Sequence, residues 1–106
     1  MNGKEGDRTP VLTVNIDAVG ALYVSYMPWV QNGGLFVPTP RTFDLGTKLI
    51  LRVVLSEEPQ GLMVKGTVVW INPKSVSGGR VPGVGVQFGS DEVGKRLRAL
   101  VESKLG

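Results

Sequence analysis

Residues 29–37 read WVQNGGLFV, two adjacent glycines set between apolar segments. A Gly-Gly pair can present backbone N–H groups to an anion, and it can equally supply the positive φ angles of a tight turn. The first use makes a phosphate cradle and the second makes a hairpin. The segments on either side bear on the choice, because both have the alternation of β-strands.

Upstream, Leu12, Val14 and Ile16 alternate with Val11, Thr13 and Asn15, which predicts a strand. DAVG (17–20) carries turn chemistry, and ALYVSYM (21–27) then predicts a second strand. Leu22, Val24 and Tyr26 share one face of it, the core face, while Tyr23, Ser25 and Met27 share the exposed one. Downstream, a short strand LFV is stopped by Pro38-Thr39-Pro40, where two ladder donors are missing. A turn at 44–46 precedes a long strand with Leu49, Leu51, Val53 and Leu55 on one side.

SEEPQG is a polar hairpin connection into LMVKGTVVWI, where Gly66 suggests a bulge or bend and Trp70 shares the core face of Val64 and Val68. NPKSVSGGRVP is a loop, and the glycines of GVGVQF (83–88) let another strand or side chain approach closely. The period then changes. Ser90, followed by Asp91 and Glu92, predicts a helix start, and Val93, Leu97, Leu100 and Val101 form its apolar stripe up to Gly106. Six strands and one C-terminal helix predict an all-β, six-stranded antiparallel barrel with a helical lid, one domain over 1–106 with residues 1–10 as a flexible tail. The strand at 11–16 is a plausible free edge for an added partner strand.

The 106 residues contain no Cys and no His, which excludes disulfides, thiolate and imidazole metal ligands, and the commonest nucleophile and base. Asp17, Asp44, Glu57, Glu58, Asp91 and Glu92 fall in turns or at the helix start and no metal-ligand spacing occurs, so neither an enzyme nor a metal site nor a cofactor is expected. The net charge of +3 is spread along the chain, and its densest basic stretch, Lys95 to Arg98, reads as a solvated helix face. Nucleic-acid binding is not expected, because residues 23–36 hold aromatics but neither Lys nor Arg. The polar N-terminus and the lack of a long apolar run predict a cytoplasmic protein without membrane insertion.

The series NGGLFV, LGTKLILRVVL, GTVVWI and GVGVQF resembles the PilZ domain over residues 10–105. That resemblance implies a six-stranded barrel best known as a cyclic di-GMP receptor. Ligand-binding members carry an Arg-x-x-x-Arg pair before the first strand and an Asp/Asn-x-Ser-x-x-Gly stretch entering the glycine loop. Paired guanidiniums clamp phosphates and guanine edges, and lysine lacks that fork. Aligned on Gly34, the second signature has Trp29 and Gln31 in place of its acid or amide and its serine. The first is matched in spacing only by Lys4 and Arg8, with acids at 5 and 7, and reads as a chance occurrence in a charged tail rather than a degenerate clamp. The expectation is a loop that turns the chain and does not bind cyclic di-GMP; the alternative is a cyclic di-GMP receptor.

ALYVSYMPWVQNGGLFVPTPR is similar to a divergent PilZ subfamily of type IV pilus biogenesis proteins. It implies an adaptor in pilus assembly and twitching motility. Its partners would be the pilus extension ATPase and, in some bacteria, an EAL-domain cyclic di-GMP regulator. A tyrosine at the Tyr23 position is implicated in partner contact in that subfamily. Met27, Trp29 and Phe36 join Tyr23 as candidate contact residues, because Tyr, Trp and Met give large contact area at low entropy cost.

Overall fold

The computed structural model describes residues 9–16, 25–73 and 81–106. Tyr23, Lys4, Arg8 and most of the second expected strand lie outside those residues. The described strands are β1 (Val11–Asn15), β2 (Gly34–Pro38), β3 (Lys48–Leu55), β4 (Glu58–Asn72) and β5 (Gly83–Phe88), followed by helix α1 (Glu92–Leu105). They form one sheet in the order β1-β3-β4-β5-β2, a half-barrel with β1 and β2 at its edges.

Alternation accounts for the concave face. Leu49, Leu51, Val53 and Leu55 of β3 are at most 1% exposed, as their spacing predicts. Leu35 and Val37 of β2, Val64 and Val68 of β4, and Val84, Val86 and Phe88 of β5 complete that layer. Helix α1 covers it with Leu97 and Val101, both fully buried. Each large apolar side chain so buried contributes on the order of 2 kcal/mol.

One feature of the expected barrel is corrected: the sheet is not wholly antiparallel. The described residues hold five strands in a half-barrel, and the sixth expected strand falls mostly outside them. Val11 to Asn15 run parallel to Ile50 to Val54. Alternation fixes which side chains point inward but not the neighbour or its direction. The chain goes from β1 to the opposite edge as β2 and returns as β3, a crossover that permits a parallel pair. Of the expected strand at 21–27, the described part makes only an isolated bridge, Tyr26 with Leu35.

The helix begins one residue later than Ser90 suggests. Asp91 is the N-cap, its Oδ1 accepting from the Gly94 amide at 3.0 Å, and the Gly106 amide closes the other end on the Glu102 carbonyl. Among the described residues three ion pairs occur, all on α1: Arg96 with Glu58, Arg98 with Glu102, and Lys104 with Glu57. Two of them tie the helix to the tip of the β3–β4 hairpin. No described helix is long and apolar enough to cross a membrane.

Candidate functional site

The glycine pair closes a turn. Asn32 and Gly33 take φ of 69° and 84°, the left-handed values that a reversal here requires. The Gly33 amide donates to the Val30 carbonyl at 2.8 Å and the Met27 amide to the Gly34 carbonyl at 2.8 Å. The Gly33 carbonyl accepts from Phe88 at 2.9 Å, which fixes the turn to β5. Its outer side is held by Gln87, whose Nε2 donates to the Gln31 carbonyl at 3.0 Å.

Under the turn lies Tyr26, 6% exposed, as its shared face with Leu22 and Val24 predicts. Its hydroxyl donates to Glu102 Oε2 at 2.6 Å, and Arg98 Nε donates to the same oxygen at 3.3 Å. Burial, and next the hydrogen bond with Glu102, push the Tyr26 phenol up to about 12. The same bond, with Arg98 second, holds the Glu102 carboxyl below its ordinary value.

On the convex face, β5 alternates Gly83, Gly85 and Gln87 outward against Val84, Val86 and Phe88 inward. The two glycines leave seats that neighbouring side chains fill. A Cβ at Gly85 would lie 2.8 Å from Trp70 Cβ and 3.0 Å from Met27 Cε; one at Gly83 would lie 2.7 Å from the Phe36 ring. Phe36, Gly85 and Trp70 are in register across β2, β5 and β4. The result is a groove of about 600 Å³ lined by Met27, Trp29, Val30, Phe36, Val69 and Trp70. None of these side chains is charged, and Trp70 Nε1 is already donated to Asn72 Oδ1 at 2.9 Å.

Three of the four candidate contact residues, Met27, Trp29 and Phe36, therefore line one groove, while Tyr23 lies outside the described residues. Trp29 is 77% exposed at its rim. Met27 is not on an exposed face as expected. It is only 8% exposed: Ser25 is helical and Tyr26 makes only an isolated bridge, so strand alternation does not apply at Met27, and its thioether lies over Gly34 and Gly85.

Trp70 is a second residue that sequence reasoning misplaced. Strict alternation from Val64 puts it in the core, yet it is 55% exposed. The register between β4 and β5 slips between Val68 and Trp70, and one extra residue exchanges the two faces of the strand beyond it. The irregularity lies after Gly66 and not at it. Gly66 is instead a close approach, where a Cβ would collide with Val86. A signal for the groove did exist in the sequence, since alternate glycines in GVGVQF vacate one face of a strand that buries the other.

A comparison with curated proteins returned no match. The family model described as PilZ domain matches residues 8–103, nearly the whole sequence and all five strands, and on that match the chain belongs to the PilZ domain family.

Proposed function

We propose that this chain is a non-enzymatic PilZ adaptor for the type IV pilus, receiving the pilus extension ATPase on the groove of Met27, Trp29, Phe36 and Trp70. PilZ domains are binding and adaptor domains, and membership of that family supports an adaptor role related to cyclic di-GMP signalling. The observation that carries the reading is the uncharged aromatic lining of the groove, beside a turn whose Gly33 amide is already committed to Val30. A phosphate ligand needs free donors and cations, whereas a desolvated aromatic pocket suits a protein anchor. Tyr23, outside the described residues, is a further proposed contact residue, and an EAL-domain regulator is the second proposed partner. In this role the partner senses the nucleotide and the chain relays that state by contact.

Affinity capture of the ATPase by wild type and by Tyr23→Ala, Trp29→Ala and Trp70→Ala tests this. Loss of about tenfold or more in affinity, with unchanged circular dichroism, is expected for a central aromatic anchor. Equal capture by all four proteins overturns it.

A second reading, a cyclic di-GMP receptor, is favoured by the family itself and by the spacing of Lys4 and Arg8. Titration calorimetry distinguishes the two. Micromolar binding that disappears in Arg8→Ala establishes the receptor; no heat with the wild type removes it.

A further inference from the structure

The outer face beside the groove is not neutral. One row further along the sheet, Gly34, Gln87, Thr67 and Lys48 are in register across β2, β5, β4 and β3. In the next row Lys65 of β4 pairs with Ile50 of β3. Lys48 and Lys65 are both exposed, and Lys48 Nζ reaches only the Thr67 hydroxyl, at 3.0 Å. The three ion pairs among the described residues lie elsewhere, all on helix α1, so neither lysine has a carboxylate partner among them. An aromatic trough and an uncompensated pair of ammonium groups thus share one continuous surface.

Their separation sets what fits both. From the seat over Gly85, Lys48 lies two residues along and two strands across, and Lys65 four residues along and one strand across, roughly 12–14 Å in each case. An extended peptide covers that in about three or four residues. Nucleotides are disfavoured as occupants. A base seated between Phe36 and Trp70 would meet only one free side-chain donor, the Trp29 indole N–H, leaving most of its edge unpaired. Lysines also offer point charges without the fork that clamps phosphate.

Resting on the reading of the groove as a protein contact, we propose that the groove and the lysine row form one bipartite site for an acidic protein segment. An aromatic or aliphatic side chain seats over Gly85 between Phe36 and Trp70. A carboxylate three or four positions away reaches Lys48 or Lys65. The apolar seat supplies affinity, and the charge pair supplies orientation and excludes basic segments.

Selection of a random linear-peptide phage library on the full chain tests this without any assumed partner. The expected consensus is one bulky apolar residue with Asp or Glu three or four positions away. The selected peptide, made synthetically, loses affinity about tenfold on Lys48→Glu/Lys65→Glu and weakens with added salt. Because Trp70→Ser can alter folding, circular dichroism accompanies it as the variant lacking the apolar seat. A consensus without acids, one rich in Lys or Arg, no enrichment over Trp70→Ser, or tighter binding of an oligothymidylate than of any selected peptide each overturns the proposal. An acidic consensus together with an ATPase that does not bind removes the pilus reading and leaves this site standing.

Discussion

The Tyr26 hydroxyl and the Glu102 carboxylate, 76 positions apart in the chain, meet at 2.6 Å. Through that bond helix α1 holds the residue next to Met27, and Met27 is the thioether that covers Gly85 in the groove. The helix is therefore connected to the floor of the groove by two consecutive residues. Tyr26→Phe removes the hydroxyl and leaves the ring in place. A loss of about 1 kcal/mol is expected, the ordinary worth of one hydrogen bond, read as a lower urea midpoint with unchanged slope.

The pH profile of stability follows from the same cluster. Glu102 is held below its ordinary value of 4.5, first by the Tyr26 hydroxyl and then by Arg98; Glu57 is held below it chiefly by Lys104. As pH falls below 4.5, the unfolded chain takes up protons before the native one does. Their contribution is whole above that pH and is lost as pH falls through the depressed values. Tyr26 runs the other way. Its native value of about 12 exceeds the ordinary 10.0, so its contribution is whole below pH 10.0 and is lost as pH rises towards 12. Urea midpoints across pH should form a plateau with both shoulders, and Tyr26→Phe should flatten the alkaline one.

Gly85→Val tests how the groove is built. The added side chain meets Trp70 Cβ and Met27 Cε within 3.0 Å, so one of them must leave the seat. Overpacking of this kind costs roughly 1–3 kcal/mol. The chain has only two tryptophans, and both line the groove. A shifted indole emission in the folded variant is the expected sign, and an emission identical to wild type contradicts the geometry.

Much of this fold is legible in the residues. The inward sets of β3 and β5 follow from period two, and the helix stripe follows from the change of period at residue 90. Three particulars were not legible, each because a non-local contact overrides a local pattern. The slip after Val68 turns Trp70 outward, and nothing in VVWI marks it. Met27 is buried by glycines on two other strands, which alternation within its own segment cannot register. The parallel pairing of β1 depends on the route of the whole chain. The candidate site shares this division: Trp29 and Phe36 stood out by composition, whereas Trp70 joins them only through the slipped register.

Gly33→Ala isolates the turn. At φ 84° an alanine is strained by roughly 1–2 kcal/mol, and its Cβ would lie 3.2 Å from the Tyr26 hydroxyl. Hydrogen exchange at the Met27 amide, which donates to the Gly34 carbonyl, should accelerate about tenfold or more while that of the β3–β4 ladder changes less. Equal acceleration at both would mean that the turn is not an independent unit.

The central claim is that the groove receives a protein, and the two indole N–H signals report on it directly. The measurement is the nitrogen–proton spectrum of the isotope-labelled chain during titration with unlabelled pilus extension ATPase. The account predicts that the Trp29 and Trp70 indole signals shift or broaden first, with Gly85 and ahead of the helix α1 amides. Saturable ATPase binding that leaves both indoles where they were would contradict it.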